Sequence, residues 1–108
     1  MLHTSNKGEV AVLKIELAAN LKGYFVNYPR NCHLPYDCII DTGKKLLRTQ
    51  IKYLARKSNK GRSLELVLSS KANKRALYTK DSIDLLLIYI HSKDCILCVK
   101  PARFHNRN

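Results

Sequence analysis

Residues 36–52 read Tyr36-Asp37-Cys38-Ile39-Ile40-Asp41-Thr42-Gly43-Lys44-Lys45-Leu46-Leu47-Arg48-Thr49-Gln50-Ile51-Lys52. Two apolar runs flank a short polar break, which is the pattern of a β-hairpin. Asp37 to Asp41 is one strand and Leu46 to Leu54 is the next. Asp41-Thr42-Gly43-Lys44 is the tight turn between them, with Gly43 supplying a positive φ. Side chains two apart in a strand point the same way, so Leu47, Thr49 and Ile51 face the core and Arg48, Gln50 and Lys52 face away. The hairpin therefore carries a carboxylate where its first strand begins, and an amide oxygen and an ammonium group on its second. Brought together beside a basic surface, these groups suit holding a divalent ion against a phosphodiester and steadying the charge that develops there.

Upstream, Ser5 or Asn6 can cap a helix, and Glu9 falls in its first turn, where the helix dipole favours an acid. Val10, Leu13, Leu17 and Leu21 recur at helical spacing, so the helix is expected over Lys7 to Leu21 with that stripe facing the core. Gly23 stops it. Tyr24 to Tyr28 reads as a strand ended by Pro29, and Asn31 to Pro35 as a loop.

Downstream, Arg56 to Arg62 is a basic, glycine-containing loop. Leu64, Leu66 and Leu68 alternate, so Ser63 to Ser69 reads as a half-buried strand. Lys71 to Asp81 is again basic and loop-like, and Thr79 can cap a helical turn over Asp81-Ser82-Ile83. Leu85 to Ile90 is short and uniformly apolar, as in a central strand covered on both faces. His91 to Asp94 is a turn, and Cys95 to Val99 is a last strand closed by Pro101. Phe104 to Asn108 is expected to be a mobile tail. The fold class is α+β, a mixed central β-sheet flanked by an N-terminal helix, in a single domain over residues 1–108.

The composition agrees. Hydrophobic residues make up 45% of 108, which is globular rather than disordered. Without Trp, the core must rest mainly on Leu, Ile and Val. Lys and Arg number 20 against 8 acids, a net charge of +12. That excess points to an anionic partner, nucleic acid before an acidic membrane surface. It is unevenly spread: Lys44 to Arg62 holds eight bases and no acid, and Lys71 to Lys80 holds four more. Arg48, Arg56, Lys57, Lys60, Arg62, Lys71, Lys74 and Arg75 are the expected phosphate contacts. The longest apolar run, Leu85 to Ile90, falls far short of the ~20 residues that span a bilayer. The N-terminus lacks the apolar stretch of a signal peptide. An intracellular protein with reduced cysteines is expected, in the cytoplasm, or in an organelle or host cell if a mobile element encodes it.

Taken in order, Lys7-Gly8-Glu9, Gly23-Tyr24, Pro29, Tyr36-Asp37 and Gln50-Ile51-Lys52 resemble the PD-(D/E)XK nuclease superfamily. More narrowly they are similar to the small homing endonucleases associated with group I introns, in which Gln takes the place of the third acid. The likeness runs over roughly residues 7–100. It implies a restriction-endonuclease-like α/β core, Mg²⁺ or Mn²⁺, and hydrolysis of double-stranded DNA. By position, Asp37 matches the metal-binding aspartate, Gln50 the third ligand, and Lys52 the lysine that orients the attacking water and meets the phosphate. The backbone carbonyl of Ile51 is a further oxygen ligand. One position departs: where many relatives carry a helix glutamate, this chain has Val12. Glu9 matches the acid after Lys-Gly and is the first candidate for the missing carboxylate, with Glu16 second. A chain this short covers little DNA, so cutting both strands implies a homodimer or homotetramer, to which Leu85–Ile90 and the last strand could contribute.

Plainer readings stand beside these. Asp37 could stabilise a turn, Gln50 and Lys52 could be the solvated face of an edge strand, and Glu9 could serve the helix dipole alone. Asp84 caps or pairs with a base. Tyr28, Tyr36 and Tyr53 are expected to pack around the hairpin. Cys95-x-x-Cys98 with Cys32-His33 invites a zinc reading, but a strand puts residues three apart on opposite faces. Buried reduced thiols are the expectation there. The rival functions are a non-catalytic DNA- or RNA-binding protein, such as an inactivated nuclease, and a zinc-bound regulator.

Overall fold

The computed structural model describes residues 3–56 and 82–100. Helix α1 (Thr4–Leu21) leads into five strands: β1 (Phe25–Asn27), β2 (Cys38–Asp41), β3 (Leu46–Leu54), β4 (Leu85–Ile90) and β5 (Cys95–Val99). They form one sheet in the order β1-β2-β3-β4-β5. The pairings are antiparallel except β3 with β4, which are parallel, so the sheet is mixed. The expected strand at Ser63–Ser69, the loop over Lys71–Asp81 and the tail from Phe104 lie outside the described residues; of the helical turn expected over Asp81-Ser82-Ile83, Ser82 and Ile83 are described and neither is helical.

The hairpin forms as its sequence requires. Gly43 has φ +90°, and Asp41 Oδ1 accepts the Gly43 amide at 2.8 Å. Thr42 Oγ1 accepts the Lys45 amide at 3.0 Å. The helix ends at Gly23, φ +82°, with Gly23 N–H bonding Asn20 O and Tyr24 N–H bonding Ala19 O, the two bonds of a Schellman motif. Its start differs from expectation. His3, not Ser5 or Asn6, is the cap, its ring accepting the Ser5 amide, and no acid lies in the first turn. Glu9 therefore sits too far along the helix for the dipole, which fades within the first turn, to be its main role.

The helix face is a second correction. Leu13, Leu17 and Leu21 are 55%, 56% and 79% exposed, and the side chains that meet the sheet are Ala11, Ile15 and Ala19. These also repeat every four residues, so both stripes fit a helix. Small alanines let the helix axis come close to the sheet, and the leucine stripe would hold it off.

The sheet is covered by two apolar groups. Ala11 and Ile15 pack with Cys38, Ile40, Ile51, Leu87 and Tyr89 on the helix side. Ile83, Leu86, Ile88, Ile90 and Val99 cluster together, with Tyr36, Leu54 and Leu97 against them. Alternate residues of β4 thus enter different clusters, which explains its uninterrupted apolar run. Because β4 lies between β3 and β5, both its edges are paired, and it cannot offer an edge to another copy of the chain. No helix among the described residues is long and apolar enough to cross a membrane.

Candidate active site

Asp37 does not begin β2 as a regular strand residue. The register pairs Cys38 with Thr49, yet the Asp37 amide also donates to Thr49 O at 2.8 Å. Two consecutive residues meet one across the ladder, the arrangement of a β-bulge, which bends a strand and re-aims its side chain. The Ile51 amide then bonds the Asp37 side chain instead of a backbone carbonyl, donating to Oδ2 at 2.7 Å.

The re-aimed side chain lines a cleft of about 410 Å³ together with Glu9, Val12, Leu13, Glu16 and Tyr28. Glu9, Val12 and Glu16 share a helix face by their spacing of three and four residues, and that face looks onto Asp37. Three carboxylates thus border one cavity. Glu16 is half-buried, and its Oε1 accepts the Tyr28 hydroxyl at 2.5 Å. Tyr28 therefore does more than pack beside the hairpin. Its hydroxyl is held protonated above the usual tyrosine range, first by burial and then by that bond to Glu16.

Electrostatics tie the cleft together. Burial raises the Asp37 carboxyl above its ordinary pKa, and the Ile51 amide and the Lys52 charge oppose the rise. Asp37 as a residue is exposed, so the desolvation acts on the carboxyl end drawn against β3. The Cys38 thiol is pushed up to about 12, first by burial and then by the negative charges of Asp37 and Glu16. A thiol so placed is a neutral packing group rather than a nucleophile.

On β3, Thr49 and Ile51 are buried as expected and Gln50 and Lys52 are half-buried. Strand alternation turns Gln50 and Lys52 away from the helix side that Ile51 joins. Lys52 is near enough for its charge to act on Asp37. The cleft itself is not lined by Gln50 or Ile51. Among the described residues, no three of His, Cys, Asp and Glu gather closely enough to hold an ion by themselves.

Arg48 has a defined partner. Its Nε donates to Asp84 Oδ2 at 3.0 Å, its second guanidinium nitrogen to Oδ1 at 3.0 Å, and its backbone amide to Oδ2 at 2.9 Å. Asp84 thus pairs with a base, and the pair ties β3 to the start of β4. Arg56 is exposed, while Lys57, Lys60, Arg62, Lys71, Lys74 and Arg75 lie outside the described residues. The cysteines correct another expectation: Cys32, Cys95 and Cys98 are exposed, and only Cys38 is buried. Tyr36 packs on the cluster around Ile83, and Tyr53 hydrogen-bonds His91 Nδ1 at 2.8 Å.

Residues 2–107 match the family model of the PD-(D/E)XK endonuclease. Among solved structures, the chain is similar to a bacterial homing endonuclease, I-Ssp6803I, with a TM-score of 0.72 and 21% sequence identity over 95% of this chain and 72% of that one. No protein of curated function matches it.

Proposed function

We propose, from the premise that this chain belongs to the PD-(D/E)XK endonuclease family, that it is a metal-dependent endonuclease hydrolysing phosphodiester bonds of double-stranded DNA. The observation that carries the reading is the bulge at Asp37, which turns a carboxylate into a cleft already bordered by Glu9 and Glu16 while Lys52 acts on it from β3.

The donor set fits a hard divalent cation. Carboxylates from Asp37 and a helix acid, first of all Glu9, with the Gln50 amide oxygen and the Ile51 carbonyl, are the oxygen ligands that Mg²⁺ or Mn²⁺ prefers. Such an ion, when bound, supplies Lewis-acid stabilisation of the phosphate and of the leaving oxygen. Asp37 is fixed for the task by the Ile51 amide. Lys52 positions the attacking water and meets the phosphate charge. Arg56, Lys57, Lys60, Arg62, Lys71, Lys74 and Arg75 supply the cationic surface for backbone phosphates, while Arg48 is engaged by Asp84. Cutting both strands calls for a homodimer or homotetramer. A homing role, with the gene carried by a mobile element and the protein acting inside the host cell, completes the reading.

The test is nicking of supercoiled plasmid with Mg²⁺ or Mn²⁺, by wild type and Lys52→Ala. Cleavage that is lost with EDTA and in the variant supports the enzyme. Among the described residues no three of His, Cys, Asp and Glu gather to hold an ion, and that is the observation behind the rival reading, a non-catalytic DNA-binding protein. It would retain plasmid in a gel shift and leave it uncut.

A further inference from the structure

Two helix acids border the cleft, but only one is held there. Glu9 is exposed, with no hydrogen bond or ion pair among the described residues. Glu16, two turns further along α1, is half-buried and anchored by the Tyr28 hydroxyl. Tyr28 follows β1 and lines the same cavity as Asp37. Its hydrogen bond occupies Oε1 of Glu16 and leaves Oε2 unassigned. A phenol donor suits this position because it fixes a carboxylate without neutralising it, as a lysine or arginine partner would.

Both acids border the cavity that Asp37 lines, and the hydrogen bond from Tyr28 holds Glu16 at its wall. A ligand that is already ordered loses less side-chain entropy when an ion binds. Val12, between the two acids, adds an apolar wall and no ligand.

We propose that Glu16 is the helix carboxylate that joins Asp37 in binding a divalent cation, and that Tyr28 is its positioning residue. This rests on the metal-dependent nuclease reading above and replaces its first choice of helix acid. Tyr28 acts through Glu16 and touches neither the ion nor the phosphate.

Isothermal titration of Mn²⁺ into the full chain provides a readout independent of cleavage, and plasmid nicking against Mn²⁺ concentration provides a second. Glu16→Gln is expected to weaken Mn²⁺ binding by at least tenfold and to abolish nicking at low metal. Tyr28→Phe keeps the ring and loses only the hydroxyl. It should weaken Mn²⁺ several-fold, raise the Mn²⁺ needed for half-maximal nicking by the same factor, and leave the rate at saturating Mn²⁺ within about twofold. In a Glu16→Gln background, Tyr28→Phe should add nothing, a coupling that a merely structural tyrosine would not show. Glu9→Gln should weaken Mn²⁺ binding less than Glu16→Gln does. Circular dichroism on each variant reports folding. Loss of Mn²⁺ affinity in Glu9→Gln, with Glu16→Gln and Tyr28→Phe unchanged, overturns the assignment and leaves the nuclease site standing. Unchanged affinity and nicking in Asp37→Asn instead removes the site itself, and this inference with it.

Discussion

The Asp37 carboxylate accepts the Ile51 amide at 2.7 Å, so one side chain both ends the β2–β3 ladder and carries the acid of the cleft. Structure and chemistry compete at that atom. Burial raises its folded pKa, so the proton is held more tightly in the folded chain than in the unfolded one. That contribution to stability is full below the unfolded carboxylate pKa and is lost as pH rises through the folded value. Asp37→Asn keeps an acceptor for Ile51 and removes the charge. At pH 7 it should melt slightly above wild type, by roughly 0.5 kcal/mol or less because solvent screens an exposed residue. The difference should vanish near pH 3. The same variant should lose cleavage yet bind DNA as well or better, since a negative charge beside phosphate is gone. Full cleavage would refute the site.

The Arg48–Asp84 pair answers to pH with the opposite sign. Hydrogen bonding from the Arg48 side chain holds Asp84 below its ordinary pKa. Its stabilisation is present above the unfolded carboxylate value, roughly pH 4, and is lost as pH falls through the lower folded value. Asp84→Asn breaks the charged fork and should cost roughly 1–2 kcal/mol at neutral pH, a figure held down because the pair is about one-third exposed. Thermal melts at pH 7 and pH 3 check it: the gap between variant and wild type should close in acid.

The helix face makes its own prediction. Ala11 is fully buried against the sheet, so Ala11→Leu should destabilise by about 1–3 kcal/mol through overpacking. Ile15→Ala should cost about 2–5 kcal/mol as a cavity. Leu17→Gln, on the exposed stripe, should change stability by no more than about 0.5 kcal/mol. Urea denaturation of the three variants reports all of this, and a large loss in Leu17→Gln would contradict the packing described.

DNA affinity should fall steeply with salt, because each neutralised phosphate releases counterions. Removing one phosphate contact, for example by Arg56→Ala, should lower the slope of log affinity against log salt by roughly one and weaken all DNA sequences alike. Fluorescence anisotropy at several salt concentrations measures the slope. Equal affinity at low and high salt would rule out a grip by the basic segments.

Local rules made the hairpin legible. Alternation placed Thr49 and Ile51 inward, Gly43 marked the turn, and the unbroken run from Leu85 to Ile90 marked an interior strand. These depend on nearest neighbours, and so does the end of α1 at Gly23. The order of Asp37, Gln50 and Lys52 along the chain also carried the family likeness that residues 2–107 bear out.

What the order of residues left open was settled by packing. Apolar residues lie nearly all round α1, so periodicity fitted both the leucine stripe and the Ala11–Ile15–Ala19 stripe, and only close approach to the sheet selected the second. The bulge at Asp37 depends on where the β2–β3 ladder ends, at Cys38 and Thr49. The bonds from Tyr28 to Glu16 and from Arg48 to Asp84 join positions 12 and 36 residues apart. A hydrogen bond depends on distance and angle in space, and spacing along the chain bears on these only within a turn or a strand.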